Sequence, residues 1–460
     1  MEKIYLRELI TAVKGEFLLG DPHSIVSSIS IDSRTIRKGN YYFAIAGKNH
    51  DGHNFLQEAV EKGASGLIIA RNDFEIGNPF PSMPAIVKVQ DTSLALGDLA
   101  SYYRKKWNIP LVAITGSNGK TSTKEMLGSI LQQRGNTLKT SGNFNNQIGL
   151  PLTLLNLSSE HAYAVIEMGT SFPGEIKRLA EIASPTIGII TNIGLSHLER
   201  FKNQEGVLAE KRVLLENLAS GGCGVINIDD PYLNGIASSL PCEVITTGIE
   251  KEAMVRARKI DVWPDYPKFE LVIQGNAVPV TLPVYGKFNV YNALAAAAAA
   301  WKLGFGLEEI KKGLETFSAP DMRMEVRNLV SGITVINDAY NANPSSMRAS
   351  LSSFVQSFTE KSKIAVLGDM LELGEQAEPE HRKFGEYLAT QPLTHIILYG
   401  PMMEKALPAL AHAPVRHFSD REDMELELKR LVALTPDCVV FFKGSRGMHL
   451  EETINRLFSE

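Results

Sequence analysis

Residues 111–126, LVAITGSNGKTSTKEM, constrain this chain more than any other stretch. Leu111, Val112, Ala113 and Ile114 form a short apolar β-prone run, and the residues after Lys120 favour a helix, so the loop between them turns a strand directly into a helix. Gly116 and Gly119 leave that loop without side chains, so successive backbone N–H groups can point inward at a phosphate while the helix adds its positive end. Lys120 supplies a mobile cation for the outer phosphates, and Thr121 a hydroxyl suited to Mg²⁺. The usual phosphate-loop pattern has four residues between its glycines; here only Ser117 and Asn118 stand there. Thr115 and Ser122 flank the loop and complete the candidate nucleotide set. Such a strand–loop–helix predicts an α/β fold with a parallel sheet.

The formal net charge of -5 gives no general attraction to nucleic acid or to an anionic membrane, so a small phosphorylated ligand suits the loop better than a polyanion. With 460 residues, 44% hydrophobic and 22% charged, the chain reads as a soluble globular protein of about three domains. Cys223, Cys242 and Cys438 are widely spaced and outside any CxxC, which indicates neither a disulfide framework nor a zinc site and makes the cytoplasm the expected compartment. Residues 1–9 lack the apolar core of a signal peptide, and the alanine run near Ala295 is too short and too weakly apolar to span a membrane.

Residues 1–90 mix β-prone runs (28–32, 41–45, 66–70 and 85–89) with a helical stretch over 55–61, predicting a small α/β domain. Its two turn-rich loops, IDSRTIRKG and AGKNHDGHNF, carry Ser33, Arg34, Lys48, Asp51, Gly52 and His53, and read equally as solvated loops or as a ligand surface. Residues 92–107 read as a helix leading into the nucleotide strand, at the start of a central domain over 91–318. There AYAVIE ends in Glu167, and TIGIIT leads through Asn192 to His197. Ligands of an open parallel sheet sit beyond the carboxyl ends of its strands, which places Glu167 near a Mg²⁺ held by Thr121. For His197 a capping or structural role stays as open as a metal role. An amphipathic helix over 204–218 holds Lys211, on periodicity alone a solvated helix lysine.

A β pattern over 255–285, with the turns WPDYP and QGNAVP, predicts antiparallel strands appended to the parallel sheet. GKFNVYNALAAAAAAW then starts a helix whose six alanines leave a slim surface for close packing, with Asn292 capping or lining it. Past a linker around 317–321, residues 319–460 alternate strand and helix again, predicting a Rossmann-like third domain without a second phosphate loop. Its strand ends carry Asp338, Asp369 and Lys443, one edge suited to face the nucleotide domain.

No Ser–His–Asp or paired Cys–His arrangement is recognisable, so covalent catalysis by a side chain is not indicated. ATP-driven transfer is. A substrate carboxylate that attacks the γ-phosphate gives an acyl phosphate for an amine to intercept, and the protein need only position groups and neutralise charge. A non-catalytic nucleotide switch would need Lys120 and Thr121 but no convergent third domain.

In the order DSRTIRKG, TGSNGKTS, GNFNNQIGLPLTLL, VIEMGTS, NIGLSHLERF, EGVLAEK, YGKFNVYNALAA, NDAYNANPSSM, LGDMLELG and FKGSRGMHLEE, the chain resembles the Mur ligase family over essentially its whole length. Within the family, GNFNNQIGLP, NDAYNANPSS and LGDMLELG look most like the members that join D-Ala-D-Ala to UDP-MurNAc-tripeptide in peptidoglycan synthesis, releasing ADP and phosphate. The DNPR-like motif of the ligase that adds the third amino acid is not found in the C-terminal domain. A folylpolyglutamate synthetase-like ligase would keep the ATP motifs and differ in its first domain and asparagine-rich motifs. The resemblance implies that Ser33, Arg34, Lys48, Asp51, Gly52 and His53 lie near the UDP-sugar, and that Asn143, Asn145 and Asn146 also meet substrate. Gly116 to Thr121 would hold the ATP phosphates, Glu167 and His197 two Mg²⁺ ions, and Asn292 the adenine. From the third domain Arg323, Asp338, Tyr340 and Asn341 would reach the nucleotide, and Lys443, Ser445 and Arg446 the D-Ala-D-Ala side. The family also implies a carbamylated Lys211, an anionic metal bridge, which makes Lys120, Lys211 and His197 the catalytic candidates. A monomer is the expected form.

Overall fold

The computed structural model describes residues 1–47, 49–71, 83–262 and 266–458, and its strands form three α/β layers and one small two-stranded ribbon. The first sheet runs Glu16–Leu19, Ala85–Lys88, Gly66–Ile69, Tyr41–Phe43, Ile29–Ser30, parallel except for its first strand. The helical stretch expected over 55–61 begins as a 3₁₀ turn, Gly52–Phe55, before the α-helix Leu56–Glu61. The second sheet has nine strands. Leu111–Thr115 lies inside it between Ile187–Ile190 and His161–Glu167, all parallel. Its far end carries Val255–Asp261, Lys268–Ile273 and Asn276–Thr281, joined to one another antiparallel, as the alternation predicts, although Val255–Asp261 pairs parallel with Glu243–Gly248. The start of the WPDYP turn, residues 263–265, lies outside the described residues. The third sheet, led by the antiparallel strand Glu325–Asn328, is otherwise parallel.

Two continuous cores tie these layers together. One runs from Leu6 and Leu9 through Leu96 and Leu99 to Leu154 and Leu179, and the other from Leu127 and Ala296 to Met347 and Phe441. The helix Lys287–Lys302 is buried along its whole alanine run, where β-carbons alone let it pack closely against the helix Lys120–Leu131. This closeness brings Asn289 and Asn292 up to the glycine loop. The helix expected over 92–107 ends at Arg104. The buried Arg104 guanidinium donates to the carbonyls of Ala183, Trp107 and Ile109, which draws the chain out of the helix. Among the described residues no helix is long and apolar enough to cross a membrane.

Candidate active site

The glycine loop leaves the second sheet where the strand order reverses. From Leu111–Thr115 the chain fills the strands on one side, then crosses to Ile187–Ile190 on the other. A crevice opens beyond the strand ends at such a point. Here it is a cleft of about 740 Å³, lined by the loop, by Asn143, Asn145 and Asn146, by the start of the helix Lys287–Lys302, and by the third layer. Asn192, just past its strand, accepts from the N–H of Ser117 and of Asn118, both at 3.0 Å, and the Thr191 hydroxyl donates to Asn118 O at 2.6 Å. Gly116 and Gly119 have φ of +148° and +83°; a Cβ on them would lie 1.8 Å from Thr191 Oγ1 and 2.2 Å from Asn292 Oδ1. No side chain caps the first turn of the helix Lys120–Leu131, so its orphan N–H groups are available to an anion. Lys120 Nζ donates to Gly116 O at 2.8 Å. Burial pushes its ammonium pKa down, with Glu167 opposing and Arg323 adding to the shift. These features fit a nucleotide polyphosphate. Gly119→Ala is expected to strain the loop by about 1–2 kcal/mol and displace Asn292, weakening ADP binding at least tenfold by calorimetry while the protein stays folded.

Behind the loop, the Thr121 hydroxyl donates to one Glu167 oxygen at 2.9 Å and Asn145 Nδ2 to the other at 2.8 Å. Thr140 Oγ1 accepts the Glu167 N–H. No cluster of three or more His, Cys, Asp or Glu suited to a metal occurs among the described residues. A single carboxylate beside a hydroxyl nevertheless fits Mg²⁺, which takes few protein ligands and completes its octahedron with phosphates and water. Thr121 and Gly116 sit behind the cleft wall, while Ser117, Asn118, Gly119, Lys120 and Ser122 line it. The Thr115 hydroxyl is buried without a hydrogen-bond partner among the described residues.

Lys211, on the helix Gln204–Glu216, lines the same cleft and is only 2% exposed, so the reading of a solvated lysine is wrong. Glu205 and Glu216 of the same helix stay exposed, while Lys211 alone of its polar residues lines the cleft. Among the described residues its ammonium has no ion-pair or hydrogen-bond partner. Burial, reinforced by the charge of Lys120 and opposed by Glu210, takes its pKa down to about 7. The Glu210 carboxylate is itself engaged, accepting from the N–H of Gly174 at 2.7 Å and of Ile176 at 2.9 Å. His197 lines the cleft from the left-handed region, φ +52°, with Nδ1 2.8 Å from a Glu372 oxygen.

The third layer supplies the opposite wall. Lys443 Nζ is 2.6 Å from Asp338 Oδ2 in a buried ion pair and also donates to Asn341 O. The Arg323 guanidinium lies over the Tyr340 ring at 4.3 Å. Arg323, Asp338, Tyr340, Asn341 and Lys443 all line the cleft, whereas Ser445 and Arg446 do not. Ser445 is buried, accepting from Leu371 N–H and donating to Ala342 O, and Arg446 pairs with Glu451. Asp369 does not face the nucleotide layer as its strand-end position suggests: its carboxylate accepts the N–H groups of Met402 and Met403 inside the third layer.

The N-terminal candidates lie off this cleft. Asp51 accepts the His53 N–H at 2.9 Å and lies 2.6 Å from Nδ1, while His53 Nε2 accepts from Ala70 N–H, so the ring is held on both sides. Ser33 donates to Glu58, Arg34 pairs with Asp32 while 82% exposed, and a Cβ on Gly52 would meet the backbone of Ala44 and Ile45. Lys48 lies outside the described residues. Sequence reasoning missed Asn343, whose Nδ2 donates to Asn118 Oδ1 at 2.8 Å across the two layers while its oxygen caps the helix Pro344–Ser357. The Asn-Pro step at that helix start was the available signal. Glu372, which meets His197, and Tyr291, which lines the cleft, stand inside the LGDMLELG and YGKFNVYNALAA motifs but were not singled out, and Asp229, also on the cleft, stands in none of the quoted motifs.

Three family models match in order: "Mur ligase family, catalytic domain" over residues 25–104, "Mur ligase middle domain" over 114–300, and "Mur ligase, glutamate ligase domain" over 322–446. The UDP-N-acetylmuramoyl-tripeptide–D-alanyl-D-alanine ligase of Bacillus subtilis is 34% identical over 99% of both chains. Crystal structure I of MurF from Acinetobacter baumannii superposes with a TM-score of 0.93 at 34% identity over the full length of both. The MurF ligase of Thermotoga maritima, solved in complex with ADP, gives 0.83 at 27% identity, covering 94% of this chain and 96% of that one. A phosphate loop at the sheet's switch point, walled by a third α/β layer and matched along its length in this way, places the chain in the Mur ligase family of ATP-dependent ligases.

Proposed function

We propose that this chain joins D-Ala-D-Ala to UDP-MurNAc-tripeptide at the expense of ATP, completing the pentapeptide precursor of peptidoglycan. The observation that carries the reading is a single cleft in which the uncapped glycine loop faces the Asp338–Lys443 wall, with Asn118 and Asn343 hydrogen-bonded across it. A nucleotide held by the loop and a substrate carboxylate would be enclosed by two layers, which excludes water from an acyl phosphate. Residues 91–318 then serve ATP, 319–460 close the cleft, and 1–90 take the uridine nucleotide, with Arg34, exposed but paired with Asp32, a cation offered to its diphosphate. A nucleotide-activated substrate places the reaction in the cytoplasm.

Thr121 and Glu167 would hold one Mg²⁺, and His197 with a carbamylated Lys211 a second, the ions supplying charge neutralisation at the phosphates. The protein's own groups do the rest. Lys120 and the helix N-terminus bind phosphate oxygens, Asn292 and Asn289 form the nucleoside side, and Lys443 offers a cation on the amine side. Phosphate release from ATP is expected only when UDP-MurNAc-tripeptide and D-Ala-D-Ala are both present. Equal release with a UDP-MurNAc-dipeptide, or with single amino acids in place of D-Ala-D-Ala, would refute the assignment.

A further inference from the structure

Among the described residues the second and third layers touch around the cleft mouth at two hydrogen-bonded points, and these points are connected. At one, Asn343 donates to Asn118 of the glycine loop. At the other, His197 Nδ1 meets Glu372 at 2.8 Å, and Glu199 N–H donates to Glu372 O. Ser445 joins them, since its hydroxyl accepts from Leu371 N–H at 2.8 Å and donates at 3.3 Å to the carbonyl of Ala342, the neighbour of Asn343. Both partners of the His197 contact sit in the left-handed region, His197 at φ +52° and Glu372 at φ +61°. A side chain pays for that conformation, so the surroundings fix it. Gly374 supplies part of the fixing: a Cβ there would lie 3.0 Å from the Glu199 Cα.

The contact also decides which ring nitrogen is free. A carboxylate at Nδ1 accepts that nitrogen's proton in a hydrogen bond, leaving Nε2 with the lone pair a metal requires. Glu372 is 59% exposed and belongs to no core, so orienting this ring is the main contact its carboxylate makes.

We infer that Glu372 is a positioning residue. Carried on the third layer, it sets the tautomer and orientation of His197, so that the metal site of the second layer is complete only when the third is docked. This inference rests on the proposed metal role of His197. The test is Mn²⁺ affinity of the full-length, ADP-bound protein, read by the electron paramagnetic resonance of free Mn²⁺. Glu372→Leu is expected to weaken Mn²⁺ about 10- to 100-fold. Glu372→Gln, which keeps an acceptor for Nδ1–H, restores most of that loss. His197→Ala combined with Glu372→Leu binds no worse than His197→Ala alone. In metal-free protein, the ¹⁵N resonances of His197 report the Nδ1–H tautomer, and Glu372→Leu shifts them toward the mixed state. If His197→Ala weakens Mn²⁺ and Glu372→Leu leaves it unchanged, the inference is overturned while the metal reading stands. If His197→Ala leaves Mn²⁺ unchanged, the metal reading fails and takes the inference with it.

Discussion

Lys120→Ala is expected to lower kcat by at least about 10³-fold while the melting temperature stays within a few degrees of the parent. Among the described residues the lysine's one hydrogen bond is to Gly116 O, and the buried Glu167 carboxylate whose charge it faces keeps its hydrogen bonds from Thr121 and Asn145 when the ammonium is removed. In the free protein its ammonium is already disfavoured by burial, so truncation relieves a cost as well as losing a contact. What is lost is a cation aimed at the transferring phosphoryl group, where charge develops in a site that excludes water. Lys124, one turn further along the same helix, is the control. Its Nζ donates to Thr140 O at 2.6 Å and pairs with Glu125 at 2.9 Å, both deep in the layer. Lys124→Ala should cost roughly 1–3 kcal/mol of stability by stranding that carbonyl, with a smaller change in kcat. Steady-state ligation and thermal melts on both variants check the pair. Near-normal turnover in a folded Lys120→Ala protein would remove the loop from the mechanism.

The loop was legible because its chemistry is local. A strand, two glycines, a lysine and a threonine within a few residues encode a backbone turn, and the Gly116 and Gly119 torsions bear out the reason for glycine there. The same holds for the Ala295–Ala300 helix, where small side chains foretell close packing. What was not legible depends on which way a helix or loop turns in three dimensions. Lys211 has the periodicity of a surface lysine, and only the fold shows this one side chain lining a cleft. Asp369 and Asp338 both stand at strand ends, yet one binds backbone N–H groups within its own layer and the other reaches the cleft. Contacts between layers, such as Asn118 with Asn343 and His197 with Glu372, join residues more than 170 positions apart and leave no spacing to read. Ser445 illustrates a third case. The family resemblance implies a place on the substrate side, and the structure adds that its hydroxyl connects two loops of the third layer, a contact no motif spells out.

Lys211 is expected to work as a carbamate, and Lys211→Ala to be nearly inactive. As an ammonium it would stand in the cleft proposed to hold magnesium, close enough to Lys120 for the two charges to oppose each other, and among the described residues it has no anionic partner beyond the engaged Glu210. Burial resolves the conflict by favouring the neutral amine, and a neutral amine is the form that adds CO₂. At a pKa of about 7 roughly half of it is neutral at pH 7, against about one part in several thousand for an ordinary lysine. The carbamate then turns a repulsive site into one with two hard oxygen ligands. The sign of the pH dependence follows. The neutral fraction falls from about nine-tenths at pH 8 to about one-tenth at pH 6, so with dissolved CO₂ held at the same concentration, enzyme stripped of CO₂ should regain activity about tenfold faster at pH 8 than at pH 6. Lys211→Ala should not respond to bicarbonate, but a short carboxylate added in solution should restore part of its activity by occupying the vacated metal position. Reactivation rates after degassing, followed by phosphate release across that pH range, check the prediction without relying on acid-labile mass spectra. A recovery rate that is independent of pH, or full activity in CO₂-free buffer, would leave Lys211 as a buried amine whose role is to neutralise nucleotide charge directly.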